Sequence, residues 1–227
     1  MDMDEVPSVT RRRIMNTLEL FAGSRSFSKV AEKFGHETFT TDIEPFEKID
    51  VVCDIFDFDI DKMLFEEHGI PDIIWASPPC TFFSVGSIGK HWHKDHTPKT
   101  GEALYGMEIV EKTNEIIDII KPKYYFIENP RGKLRKLPII EQHPYQKTVT
   151  YCSYGDNRMK PTDIWTNFDF ETRPMCHNGN RDCHHEPAPR GSQTGTQGLK
   201  NSYLKSQIPS ALFEDIFMEI EQNERKS

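Results

Sequence analysis

Long apolar runs and evenly spaced cysteines are what this sequence of 227 residues lacks. No stretch approaches the roughly 20 consecutive apolar residues that a membrane-spanning helix needs, and the acidic start MDMDEVPS does not resemble a signal peptide. The 5 cysteines are odd in number and irregular in spacing, which argues against a disulfide framework. We therefore expect a cytoplasmic protein with free thiols and no membrane contact.

Positive charge is also in short supply, with 28 Lys and Arg against 36 Asp and Glu, for a formal net charge of −8. Non-specific binding of nucleic acids depends on clustered cations, so this composition does not favour a general polyanion binder. A local basic surface remains open, because the run RGKLRK at 131–136 and the pair Arg158 and Lys160 concentrate positive charge.

Short apolar runs alternate with helical patterns from residue 16 onward. Strands are predicted for NTLEL, ETFTTD, KIDVVCD, PDIIWA, KYYFIENP, QKTVTYCSYG and PTDIWTNF. Helices are predicted for SRSFSKVAEKFG, DIDKMLFEEHG, the stretch 101–121 and IPSALFEDIFMEIEQN. This alternation is typical of an α/β protein with a doubly wound, mostly parallel sheet. Ligands bind such sheets beyond the carboxyl ends of the strands.

The alternation stops after residue 170, and residues 171–200 contain almost no aliphatic side chains. Such a segment cannot build its own apolar core. We therefore predict three parts: a core over 1–170, a small recognition insert or loop subdomain over 171–200, and a helix over 201–227 that returns to the core.

Three features at the ends of predicted strands predict a cofactor site. The turn Phe21-Ala22-Gly23 joins a strand to a helix, where backbone N–H groups can approach a ligand closely. Asp42 ends the next strand, where doubly wound folds commonly bind ribose hydroxyls. Asp54 follows the third strand and could accept a hydrogen bond from an adenine amino group. Helix capping is the alternative for both acids, but together the features indicate an adenosine-containing cofactor.

The turn Ser77-Pro78-Pro79-Cys80 presents a cysteine at the rim of the sheet. Cys53 and Cys152 lie in predicted apolar strands and are interpreted as small buried hydrophobes. Cys80 lies outside the strand in a loop that two prolines rigidify, so packing does not explain it. We interpret Cys80 as a nucleophile, with Glu128 on a neighbouring strand as its partner.

The ordered segments LELFAGSRSF, TTDIEP, CDIF, SPPCTFFS, FIENP, YGDNRMKPTDIW and QIPSALFEDI resemble the motifs of the cytosine-C5 DNA methyltransferases. The resemblance covers about residues 16–168 and 201–220, and its specific part is PPC followed by a strand-borne Glu-Asn. It implies the class I methyltransferase fold, with S-adenosylmethionine as cofactor. It also implies a compact, divergent, phage-like member of the family, of the kind found in restriction-modification.

The resemblance implies a covalent mechanism. Cys80 would attack C6 of a cytosine flipped out of duplex DNA, so that C5 can accept a methyl group. Glu128 would hold and protonate N3 of the base. Because a free thiol has a pKa of about 8.5, a cationic neighbour should promote the thiolate, and Arg158 or Lys160 would supply it.

The predicted binding residues complete this hypothesis. Cofactor contacts are expected from Phe21, Ala22, Gly23, Asp42, Ile43, Asp54, Ile55 and Pro78. DNA contacts are expected from Ser84, Asn129 and Arg131, and from Gln193 and Gln197 of the insert, since Gln pairs well with adenine. We expect a monomer that acts on double-stranded DNA in a prokaryotic or phage-infected host cell. The alternatives are an RNA cytosine-5 methyltransferase and a catalytically silent nucleic-acid-binding homologue.

Two histidine-rich clusters remain. HWHKDH at 91–96 is predicted to be a solvated loop, with a nucleic-acid contact as the alternative. The insert carries Cys176, Cys183, His184 and His185, whose spacing lacks the two close pairs of a typical zinc site. We predict no metal there and keep these four side chains as the alternative ligand set.

Overall fold

The computed structural model describes residues 13–187 and 202–226. Its centre is one seven-stranded sheet with the order β3-β2-β1-β4-β5-β7-β6. The strands are β1 Asn16–Leu20, β2 Glu37–Asp42, β3 Val51–Val52, β4 Ile73–Ala76, β5 Tyr124–Pro130, β6 Tyr145–Thr150 and β7 Pro161–Thr166. Strands β1 to β5 are parallel, and β7 runs antiparallel to both β5 and β6. The predicted α/β architecture with a doubly wound, mostly parallel sheet is confirmed.

Helices cover both faces of the sheet. They are α1 Ser28–Lys33, α2 Ile60–Lys62, α3 Ile88–His91, α4 Gly101–Ile120, α5 Ser202–Ser206 and α6 Ser210–Glu224, and a π-helical turn, Met63–Glu67, extends α2. Shorter 3-10 turns lie at Ile55–Asp57, Cys80–Phe82, Leu134–Lys136, Pro138–Ile140 and Tyr151–Tyr154. None of the helices within 13–187 and 202–226 is long and apolar enough to cross a membrane.

Strand β4 shows why the sheet is a sandwich, because all four of its residues are buried. Ile74 belongs to the apolar cluster under α4, whereas Trp75 faces α1 and α6. The Trp75 ring stacks on Phe27 with centroids 5.7 Å apart and meets Phe213 edge-on at 4.8 Å. A strand that is apolar on both faces is typical of a parallel sheet with helices on either side.

Helix α4 positions the loop that follows β4. The Thr100 hydroxyl accepts a hydrogen bond from the Ala103 N–H (3.2 Å) at its start, and Lys121 ends it at φ 53°, directly before Pro122. At Gly106 a Cβ atom would lie 2.6 Å from Cδ2 of Phe82. A side chain at this position would therefore push the Cys80–Phe82 turn away from α4.

Two predicted elements differ from the structure. The strand expected over QKTVTYCSYG ends at Thr150, and the chain then turns through Tyr151–Tyr154 to Gly155 at φ 89°. Cys152 is therefore in a turn and not in a strand. The solvated loop expected over 91–96 is wrong in part, because His91 and Trp92 are buried. Residues 171–187 form neither helix nor strand, and the three-part division of the chain stays a prediction.

Candidate active site

A cleft of about 1510 Å³ lies along the carboxyl ends of β1, β4 and β5. It runs from Phe21 and Ala22 after β1 to Cys80 and Glu128. Two of its lining residues are Glu, whereas eight are Lys or Arg: Lys94, Lys99, Arg131, Lys133, Arg135, Lys136, Lys160 and Lys205. The cleft is thus basic, although the whole chain has a formal net charge of −8.

Cys80 begins the 3-10 turn after β4, at the rim of the cleft. The preceding Pro78 carbonyl accepts a hydrogen bond from the Asn129 side-chain amide at 2.8 Å, which fastens the turn to β5. Burial raises the pKa of the Cys80 thiol; the positive charge of Lys160 lowers it and the negative charge of Glu128 raises it. Ionisation of Cys80 therefore depends on the charge state of Glu128.

Glu128 lies in β5 with only 5% of its surface exposed. Tyr151 donates its hydroxyl hydrogen to Oε1 of Glu128 at 2.9 Å. Burial is the main cause that raises the pKa of Glu128, and Lys160 opposes it. The pocket thus favours one negative charge beside one lysine, carried by either the thiolate or the carboxylate.

The two candidate cations have different surroundings. Arg158 forms an ion pair with Asp156 and donates to the carbonyl oxygens of Leu204, Lys205 and Gln207. Lys160 donates to the Lys205 carbonyl at 3.1 Å and lies 4.7 Å from the Tyr151 ring centroid. Of the two, Lys160 is the cation that acts on the Cys80 thiol, whereas the Arg158 guanidinium holds the end of α5 and Gln207, which follows it.

The loop after Cys80 packs against the basic loop after β5. A Cβ atom on Gly132 would lie 2.3 Å from the Phe83 carbonyl oxygen, and the Lys133 N–H donates to that same oxygen at 2.7 Å. Trp92 stacks on Phe83 and donates its indole N–H to the Phe82 carbonyl at 2.7 Å. These contacts were not predicted, because Trp92 was assigned to a solvated loop.

The glycine turn after β1 is left-handed at two residues, with φ 58° at Phe21 and 46° at Gly23. Asp42 at the end of β2 accepts the Gly23 N–H at 2.8 Å and the Glu44 N–H at 2.9 Å. Asp42 therefore ties the two strand ends together, and it retains acceptor capacity because a carboxylate has about four lone-pair sites. Ile43 beside it is 60% exposed.

Glu19 in β1 is a cleft residue that the sequence analysis missed. It is buried and accepts hydrogen bonds from the Phe27 N–H (3.2 Å), the Ser28 N–H (2.9 Å) and the Ser28 hydroxyl (2.6 Å). Burial raises the pKa of Glu19 to about 7, against these hydrogen bonds, which lower it. An acid within the apolar run LELF was the signal that could have identified it.

Asp54 has the capping role that was the alternative prediction. Its Oδ1 accepts the Phe56 N–H at 3.1 Å at the start of the Ile55–Asp57 turn, and Tyr105 donates its hydroxyl hydrogen to Oδ2 at 3.4 Å. Ile55 is buried in the apolar cluster under α4. Neither residue lines the cleft, so the cofactor contacts expected of them stay predictions.

The predicted DNA contacts divide into three groups. Ser84 and Arg131 line the cleft, as does Pro78 from the predicted cofactor set. Asn129 is fully buried and its amide positions the Pro78 turn, so the direct DNA contact expected of it stays a prediction. Gln193 and Gln197 lie outside the described residues.

Three of the four candidate metal ligands in the insert lie together. Cys176, Cys183 and His185 join Cys152 in a group whose potential ligand atoms are all within 4.8 Å of one another. His184 is exposed and makes a hydrogen bond through Nε2 to the Asp156 carbonyl at 3.0 Å. Cys152 is the fourth member of the group, and it was not among the predicted ligands because its segment was predicted to be a strand.

Comparison with known proteins identifies the family. No family model matches the chain. The chain is 31% identical over 160 residues to the probable DNA (cytosine-5)-methyltransferase of frog virus 3 (isolate Goorha), a match that covers 68% of this chain and 72% of the viral protein.

Two solved structures are also similar. One is a prophage-encoded protein of E. coli described as a DNA modification methyltransferase, at 15% identity and a TM-score of 0.49, with 67% of this chain and 46% of that chain covered. The other is the S. pombe Dnmt2 methyltransferase, at 14% identity and a TM-score of 0.45, with 70% and 52% covered. This chain thus spans about half the length of each solved protein. The viral match and the ordered motifs agree, and the chain belongs to the cytosine-C5 DNA methyltransferase family.

Proposed function

We propose that the protein is a DNA cytosine-5 methyltransferase that uses S-adenosylmethionine and forms a covalent bond between Cys80 and C6 of a flipped-out cytosine. The observation that carries this proposal is that the Cys80 thiol and the buried Glu128 carboxyl group lie in one cleft and that both are affected by the charge of Lys160. Frog virus 3 has a relative named for the same activity.

The glycine turn fits an adenosine-containing cofactor. Its left-handed residues, Phe21 and Gly23, lie at the carboxyl end of β1, and Asp42 keeps free lone pairs for ribose hydroxyls. The exposed side chain of Ile43 offers apolar surface for an adenine ring. S-adenosylmethionine would supply an electrophilic methyl group at the cleft.

Cys80 and Glu128 divide the work on the base. The thiolate of Cys80 would form the S–C6 bond while protonated Glu128 gives its proton to N3, which makes C5 nucleophilic. After C5 is methylated, loss of the C5 proton to a base would break the S–C6 bond and return the electron pair to sulfur. N3 would then return its proton to Glu128.

The electrostatics of the pocket suit this sequence of steps. Burial keeps a proton on Glu128 to higher pH than usual, as a proton donor to N3 requires. Once Glu128 is protonated, it has no negative charge to raise the pKa of Cys80. The positive charge of Lys160 still lowers that pKa. The reactive state therefore pairs a neutral acid with a thiolate that the positive charges of Lys160 and Lys205 stabilise.

The charge of the cleft supports a nucleic acid as the partner. The lining cations offer contacts for phosphates, and phosphate contacts supply most of the sequence-independent affinity of DNA-binding proteins. The net charge of −8 would repel a polyanion elsewhere on the surface. The target cytosine would have to leave the duplex to reach Cys80.

The test is methyl transfer from labelled S-adenosylmethionine to matched DNA and RNA substrates, followed by nucleoside analysis. We expect 5-methylcytosine in duplex DNA with the wild-type protein and none with Cys80→Ser. Product in RNA alone would favour the RNA-modifying alternative. Absence of product on both, with cofactor binding intact, would favour the catalytically silent homologue.

A further inference from the structure

A group of soft ligands lies outside the cleft, where the insert meets the turn after β6. Its members are Cys152, Cys176, Cys183 and His185. Each offers one potential ligand atom, and all four atoms lie within 4.8 Å of one another. We propose that these four side chains bind one structural zinc ion.

The geometry suits tetrahedral coordination. Zinc binds cysteine sulfur at about 2.3 Å and histidine nitrogen at about 2.0–2.1 Å, so ligand atoms on one ion are roughly 3.5–3.8 Å apart. Sγ of Cys176 lies 3.7 Å from Nδ1 of His185. Small rotations of the other side chains would bring the remaining pairs within this range.

The chemistry of the ligand set favours zinc in a structural role. Thiolates and imidazole select zinc over the hard cations that prefer oxygen. An iron–sulfur cluster is held by four cysteines in most proteins, whereas this group has three. Four protein ligands also leave no open position, which distinguishes a structural zinc site from a catalytic one.

His185 supports the proposal independently. It is 4% exposed, and its Nε2 has no hydrogen-bond partner among the described residues. Its Nδ1 faces only the sulfur of Cys176, a weak hydrogen-bonding group. Burial of an imidazole with so little compensation is costly, and a zinc ion bound to Nδ1 would replace this weak contact with a strong one.

The insert needs such a cross-link. Met175 is the one long apolar side chain in 171–187, and it is 50% exposed. Polar contacts hold this segment, among them the Cys176 N–H to the Thr150 hydroxyl at 2.9 Å and the Ser153 hydroxyl to the Pro174 carbonyl at 2.7 Å. A zinc ion would join the insert through coordination bonds to Cys152, next to Tyr151 in the same turn.

This inference does not depend on the proposed reaction, and its test is metal content. The full chain is purified, dialysed against metal-free buffer and measured by elemental mass spectrometry. We expect about one zinc per chain in the wild type, and far less in Cys176→Ser and Cys183→Ser. Cys53→Ser and His184→Ala are matched controls and should keep the wild-type zinc content.

Two measurements on the wild type keep the proposal falsifiable if the variants fail to fold. Cobalt should replace zinc and give the visible absorption bands of tetrahedral thiolate coordination, and a chelator should lower the melting temperature. The proposal would be overturned if the wild-type protein contained no zinc and two of its 5 thiols had formed a disulfide. Zinc content that is unchanged in both serine variants would also overturn it.

Discussion

Two buried carboxyl groups, Glu19 in β1 and Glu128 in β5, line the same cleft and have different partners. Burial raises the pKa of both. Glu19 accepts hydrogen bonds from the first residues of the α1 region, and these occupy its oxygens. Glu128 accepts the Tyr151 hydroxyl and shares Lys160 with a thiol. Burial therefore has different consequences in the two regions: the hydrogen bonds of Glu19 hold the start of α1, whereas Glu128 is the acid that we propose transfers a proton.

The largest effect is expected at Glu128, on the rate of methyl transfer. Glu128→Gln keeps an acceptor for Tyr151 but cannot donate a proton to N3, so methyl transfer should fall by about 10²–10⁴. The melting temperature should change little. The control is Glu66→Gln, at an exposed acid, which should leave both quantities unchanged. Equal activity in the two variants would remove Glu128 from the mechanism.

Substitution of Arg158 tests the prediction that this side chain stabilises the fold. Arg158→Met would leave Asp156 without its ion pair and would remove the Arg158 donor from the carbonyl groups of Leu204, Lys205 and Gln207, of which Lys205 keeps Lys160 as a donor. We expect a loss of about 3 kcal/mol in the free energy of unfolding, measured by urea denaturation. If Arg158→Met had normal stability and an altered pH–rate profile, Arg158 would be the cation that acts on Cys80, and the structural role assigned to it would be wrong.

Glu19 should make the free energy of unfolding depend on pH. Its pKa is near the usual 4.5 when unfolded and about 7 when folded, so the folded state binds the extra proton between these values. Its contribution to stability is present below about pH 4.5 and is lost as the pH rises through about 7. Relative to Glu19→Gln, the wild type should lose up to about 3 kcal/mol across this range. Parallel stability curves for the two proteins would contradict the assignment.

The smallest effect is expected at Lys160. Lys160→Met removes the positive charge that lowers the pKa of Cys80, so the pH–rate profile should move to higher pH. At pH 7 the rate should fall by about tenfold, as for a loss of about 1.4 kcal/mol. Lys160→Arg should restore the position of the profile. A profile that does not move in Lys160→Met would show that thiolate formation does not depend on this charge.

The sequence predicted the fold and the pairing of Cys80 with Glu128 because both follow from local patterns. Apolar runs and turn residues mark the strands, and the carboxyl ends of parallel strands meet at one edge. The helix α4 was predicted over 101–121 and spans Gly101–Ile120. The spacing of its apolar residues and the proline that follows it were sufficient to predict these bounds.

Contacts between distant segments could not be predicted in the same way. Tyr151 and Cys152 were placed in a strand, yet the chain turns at Thr150 and directs one towards Glu128 and the other towards the insert. Asn129 follows Glu128 in the sequence, but the alternation of side chains in β5 turns it away from the cleft. Each of these outcomes depends on register and packing, which composition and spacing do not encode.

The most direct test of the central claim is covalent trapping. Duplex DNA that carries 5-fluorocytosine at the target site cannot lose its C5 substituent, so the S–C6 bond should persist after methyl transfer. With S-adenosylmethionine present, the wild-type protein should give a denaturant-resistant complex, and peptide mass mapping should place the base on Cys80. Methylation of ordinary cytosine without any such adduct, or an equal adduct in Cys80→Ser, would contradict the account.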